Sequence, residues 1–89
     1  MKRIPTRINL PFHYRVEVVQ LSNTDYNEEC GDDSLACWIV GNGCGTIYLR
    51  KSRSVRKRRA DLAHELLHAC ADFQTWLISS ASKADVQEE

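Results

Sequence analysis

One helical stretch limits what this chain can fold into more than any other feature. The run RKRRADLAHELLHACADFQTWL, residues 56–77, repeats its apolar positions at helical spacing. At 100° per residue, Leu62, Leu66, Ala69, Cys70 and Phe73 fall on one arc. Asp61, His64, Glu65, His68 and Asp72 fall on the other. Ser52 or Ser54 can cap its start through a hydroxyl that accepts from a free backbone N–H. Ser79-Ser80 reads as a break, and residues 81–89 as the start of a short second helix. A helix with one apolar arc must bury it against another layer, and the rest of the chain must supply that layer.

The layer reads as β-structure. Ile8 to Pro11 is an extended lead-in, because Pro5 and Pro11 disfavour helix around them. From Phe12 to Leu21 apolar Phe12, Tyr14, Val16 and Val18 alternate with His13, Arg15 and Glu17, as in a half-buried strand. Leu35 to Val40 and Cys44 to Arg50 are two further β-rich runs, split by Gly41-Asn42-Gly43, a strong hairpin signal. Ile47 and Leu49 would share one face of the second run, Thr46 and Tyr48 the other. Residues 22–34, polar and acidic, read as a surface loop without the ligand spacing of an EF-hand. The expected fold is therefore α+β: a three-stranded, mainly antiparallel sheet packed on one long helix, with a short C-terminal helix. All 89 residues make a single minimal domain.

The polar arc of the long helix carries the chemistry. His64-Glu65-Leu66-Leu67-His68 has the form H-E-x-x-H, and residues four apart stand one above the other on a helix. Two imidazoles so placed can share one Zn²⁺. Glu65, at the edge of the same face, can reach a water on that metal and act as a general base. An ordinary solvated face would carry Lys and Glu in i,i+4 pairs. This one has two of the three histidines in the chain and three acids, with no lysine or arginine among them.

A catalytic zinc needs a third protein ligand. His13 lies on the polar side of its strand with no partner at ligand spacing. Asp72 continues the stripe of His64 and His68. Ligands at i, i+4 and i+8 span about 12 Å of axis, too far for one ion. Asp72 is better suited to accept the outer N–H of His68 and fix its ring. Glu88, twenty residues after His68, leaves room for the helix to end and return; Glu89 is the adjacent alternative, and a partner chain a third.

The charge of the chain is zero overall but unevenly placed. Asp25, Glu28, Glu29, Asp32 and Asp33 cluster in one stretch, while Arg50, Lys51, Arg53, Arg56, Lys57, Arg58 and Arg59 cluster at the strand–helix junction. Positive charge at a helix N-terminus opposes the macrodipole, and a phosphate partner is one reason to tolerate it. Pairing with the acidic stretch or plain solubility is another, and zero net charge favours it. Cys30, Cys37, Cys44 and Cys70 form no C-x-x-C pair. With no signal-like segment or membrane-length apolar run, a cytoplasmic setting and free thiols are expected.

The run from His64 to Asp72 resembles the active helix of the HExxH zinc metallopeptidases, particularly their gluzincin branch, including the acid four residues after the second histidine. The stretch Thr46 to His68 looks most like small ImmA/IrrE-type peptidases. The resemblance covers about the last half of the chain and implies a zincin-like domain. It implies zinc on His64, His68 and Glu88, with a metal-bound water activated by Glu65 attacking a peptide or protein substrate. Gly45 to Arg50 resembles the edge strand on which such enzymes hold an extended peptide, and Tyr48 is the candidate oxyanion stabiliser. The chain stops where the glutamate-bearing helix of that family continues. The rival expectation is a non-enzymatic module that binds nucleic acid or protein through Arg50–Arg59, its zinc vestigial or structural.

Overall fold

The computed structural model describes the backbone of residues 3–88 and the side chains of residues 3–80. The chain runs β1 (Arg7–Leu10), β2 (Tyr14–Leu21), α1 (Asn23–Cys30), β3 (Ala36–Val40), β4 (Cys44–Arg50) and α2 (Val55–Glu88). It is α+β, with a four-stranded mixed sheet in the order β1-β2-β4-β3. The expected three-stranded, mainly antiparallel sheet is thus corrected twice. The lead-in pairs as an antiparallel edge, β1 on β2. The stretch after β2 sets β3 one place away, and the hairpin folds β4 back into the gap, parallel to β2.

The β1–β2 turn takes Phe12 and His13 out of the strand they were expected to begin, with φ of 64° and 65°. The β3–β4 turn has the expected residues: Gly43 adopts φ 73° and the Gly41 N–H donates to the Cys44 carbonyl at 2.7 Å. Alternation then sorts the sheet. Tyr14, Val16, Val18, Ile47 and Leu49 are buried with Leu62 and Ala69 of α2, and Trp38, Leu66, Phe73 and Trp76 pack around them. Tyr14 sits with its ring centre 5.2 Å from those of both Phe73 and Trp76.

That burial raises the Tyr14 hydroxyl above its ordinary value of 10.0, helped by the nearby charges of Asp72 and Cys44. The unfolded chain then releases this proton first, so stability should fall as pH rises above 10 toward the folded value. Urea midpoints taken across that range should show a smaller loss in Tyr14→Phe than in the native chain.

Gly45 lies beneath the Trp38 ring: a Cβ there would stand 2.0 Å from the indole. Gly45→Ala should cost about 1–3 kcal/mol by overpacking, read as a lower denaturant midpoint at unchanged m. A midpoint equal to the native one would show that the ring yields freely.

Three more expectations are corrected. Residues 22–34 are not all loop, since Ser22 caps α1, accepting from the Asp25 N–H at 3.3 Å, and Tyr26 is fully buried. The helix forms because Tyr26 gives it an anchor, which a reading by polarity overlooks. The break at Ser79-Ser80 is absent: α2 continues to Glu88, so there is no separate C-terminal helix. Serine costs only about half a kcal/mol in a helix interior, and two in succession do not end one. Finally, Cys30 and Cys37 form a disulfide, leaving Cys44 and Cys70 as the free thiols. At its start α2 follows expectation, with Ser54 Oγ accepting from the Lys57 N–H at 3.2 Å.

Candidate metal centre

α2 crosses the sheet over β3 and β4, and its boundary with β3 leaves an open groove. Two adjoining hollows of about 410 and 420 Å³ make it up, sharing Ala36 and Glu65 in their walls. His64 lines the first; His68 and Asp72 line the second. Helical spacing brings these residues to one side of α2. Leu62, Leu66, Ala69 and Phe73 turn inward to the sheet, which leaves His64 and His68 exposed and Glu65 and Asp72 half-buried at the rim.

The two imidazole ring centres are 5.4 Å apart, with planes at 75°. A tetrahedral zinc holding one nitrogen from each at about 2.0 Å sets ring centres about 5 Å apart. The ring-centre separation of the pair is thus close to that of two imidazoles on one ion. It is two ligands, and no group of three or more His, Cys, Asp or Glu suited to a metal occurs among the described residues.

The neighbouring acids have other partners. Asp72 accepts from the Trp38 indole N–H at 2.5 Å, tying α2 to β3 across the groove. This is the hydrogen bond found for it, in place of the expected one from His68. Asp61 accepts from Arg53 Nε at 2.6 Å and Nη2 at 3.3 Å, a half-buried two-pronged pair. Glu88 is the last residue of α2, and its side chain, like all of Glu89, lies outside the described residues. With α2 unbroken, twenty residues at 1.5 Å carry backbone position 88 about 30 Å beyond His68. The return of the chain that would present Glu88 to the histidines is not made by this backbone.

Tyr48 does not line the groove. Its neighbours Ile47 and Leu49 face α2, so Tyr48 projects from the opposite side of the sheet and cannot serve as the oxyanion stabiliser there. The edge strand is also reassigned. Gly45 to Arg50 lies inside the sheet, paired on both sides, and β3 is the free edge beside the histidines. His13 stands in the β1–β2 turn, at the far side of the sheet from β3.

The basic run divides in two. Arg50 is buried, its guanidinium 4.0 Å from the Tyr26 ring centre, donating to the Ser34 carbonyl, Asn23 and the Gly31 carbonyl. Arg53 holds Asp61, and Arg58 donates to Gln20 and to the Arg53 carbonyl. Lys51, Arg56, Lys57 and Arg59 are exposed. Arg50–Arg59 is therefore not one continuous cationic surface. The roles of Trp38 and Arg50 were missed in the sequence. Alternation in Leu35–Val40 puts Trp38 on the inner face, but nothing in the spacing joins it to Asp72.

No family model matches the chain, and no curated protein or solved structure was found to match it.

Proposed function

We propose that this chain is a zinc-dependent metallopeptidase of the HExxH type, gluzincin-like, acting in the cytoplasm. The observation that carries the reading is the His64–His68 pair, spaced for one zinc, opening onto a groove whose other wall is the free edge of β3. Zinc, when bound, supplies a Lewis acid that polarises a carbonyl and makes water a nucleophile at neutral pH. His64 and His68 would hold it through one ring nitrogen each. Glu65, between them on the groove rim, takes the proton from water and passes it to the departing amine. The unpaired backbone of β3 receives an extended peptide as an added strand, which fixes the scissile bond along the groove. Trp38 holds Asp72 at the rim and keeps the two walls in register.

The third ligand is proposed to be Glu88 or Glu89, which the unbroken α2 does not itself bring to the histidines, or a group of a partner chain. Zinc content of Glu88→Ala and Glu89→Ala separates these: loss in either one assigns the ligand, and retention in both points to the partner. The reading is tested by incubating zinc-loaded protein with an unstructured protein such as casein. Cleavage that a chelator stops and added zinc restores supports it; no cleavage under any zinc loading overturns it. Among the described residues no helix is long and apolar enough to cross a membrane.

Binding of nucleic acid is the lesser proposal, since three of the seven basic residues are used within the fold. If duplex DNA binds through Lys51, Arg56, Lys57 and Arg59, the slope of log K against log salt should not exceed about 4 in magnitude. A steeper slope would place the contact surface elsewhere.

A further inference from the structure

The wall of the groove opposite α2 is held by a bond that a thiol can break. Cys30 is the last residue of α1 and Cys37 the second of the edge strand β3, and their disulfide closes the linker between them. That linker is the groove wall: Leu35 and Ala36 line the hollow with His64 and Glu65, and Ser34, Ala36 and Cys37 line the one with His68. Other ties hold its start and middle: Arg50 Nη2 donates to the Gly31 carbonyl at 3.4 Å. Arg50 Nε donates to the Ser34 carbonyl at 3.0 Å, and the Tyr26 and Ser34 hydroxyls lie 2.8 Å apart. Beyond Ser34, Leu35 is exposed, and β3 has a neighbour on one side alone. α1 itself is short and buries one side chain, Tyr26.

We propose that the Cys30–Cys37 bridge is a redox clasp that fixes the peptide-binding wall of the groove, opened by a dithiol reductant. Its effect on activity rests on the peptidase reading; the clasp itself does not. Both cysteines are half-buried and so within reach of an incoming thiolate. One thiolate of the dithiol attacks a bridge sulfur, the Cys30–Cys37 bond breaks, and the other cysteine leaves as a thiolate that takes up a proton. The second thiol of the reductant then resolves the mixed disulfide. The bridge gains two electrons and two protons, and the reductant, losing the same, becomes a disulfide. Ser34 stays anchored through Arg50, so the release is confined to the end of α1 and to residues 35–37. In a reducing compartment bridges are typically transient and regulatory, whereas in an oxidising one this clasp stays closed.

Amide hydrogen exchange on the full chain, oxidised and then reduced with dithiothreitol, tests the clasp without metal or substrate. Exchange at the end of α1 and at residues 35–37 should rise at least tenfold on reduction, with β2 and β4 unchanged, and Cys37→Ser should match the reduced native chain. Equal exchange in both states overturns the proposal. So does acceleration spread through β2 and β4, which would make the bridge a support of the whole fold. With zinc present, KM for a casein peptide should change severalfold between the two states; equal KM beside a local rise in exchange would refute regulation of the groove. No hydrolysis in either state defeats the peptidase reading, and exchange still decides the clasp.

Discussion

Glu65→Gln is expected to bind zinc as the native chain does and to lose peptide hydrolysis by about a thousandfold. The substitution keeps the shape and one carbonyl oxygen of the side chain while removing its capacity to take a proton. General-base contributions of this kind are worth about 10²–10⁴ in rate. Because Glu65 is half-buried at the rim while His64 and His68 project from the exposed side, the change leaves both imidazoles in place. The loss should appear in kcat, with KM for a peptide little altered, as expected for a group used in the chemical step. Zinc content and casein hydrolysis measured on the same preparation check it. Hydrolysis at the native rate by a zinc-loaded variant would remove Glu65 from the mechanism.

The second large effect concerns stability. Arg50→Ala is expected to destabilise the chain by about 2–4 kcal/mol, against a total of about 5–15 kcal/mol for a typical domain. Three acceptors lose their donor at once, at Ser34, Asn23 and Gly31, and the Tyr26 ring loses the guanidinium stacked on it. Part of α1 and the groove linker depend on those contacts. Arg50→Lys should recover little, because an ammonium cannot span three separated acceptors or lie flat on a ring. Urea unfolding decides it. A loss below about 0.5 kcal/mol, the usual range of surface substitutions, would mean that Arg50 behaves as a surface charge after all.

How much of this was legible beforehand differs from element to element. The hairpin, the cap at Ser54, the apolar arc of α2 and the inward pair Ile47 and Leu49 follow from local rules of turn chemistry and periodicity. Strand order does not: the resemblance to the metallopeptidases implied that β4 is an edge, yet it is the strand that joins β2 to β3. That placement depends on which edges meet across the sheet, a long-range choice that alternation cannot encode. α1 was hidden because its polarity outweighs one tyrosine, and its anchor, Arg50, is twenty-four residues away in the chain.

The candidate site shows the same division. His64, Glu65 and His68 were readable from spacing alone, since helix geometry fixes their relation, and the structure brings all three to one groove. The partner of Asp72 was not readable. Trp38 reaches it only because Gly45 has no side chain beneath the indole. The free-thiol expectation failed for a related reason: it came from compartment, whereas the Cys30–Cys37 bridge comes from α1 ending beside the start of β3. Charge clustering left open which arginines are turned inward, because proximity in sequence says nothing about that.

Zinc content per chain, by elemental analysis of the native protein and of His64→Ala reconstituted in parallel, tests the central claim most directly. Near one zinc in the native chain and none in the variant is the predicted result. A native chain that takes up no zinc at saturating metal, or a His64→Ala chain that retains a full equivalent, would contradict it.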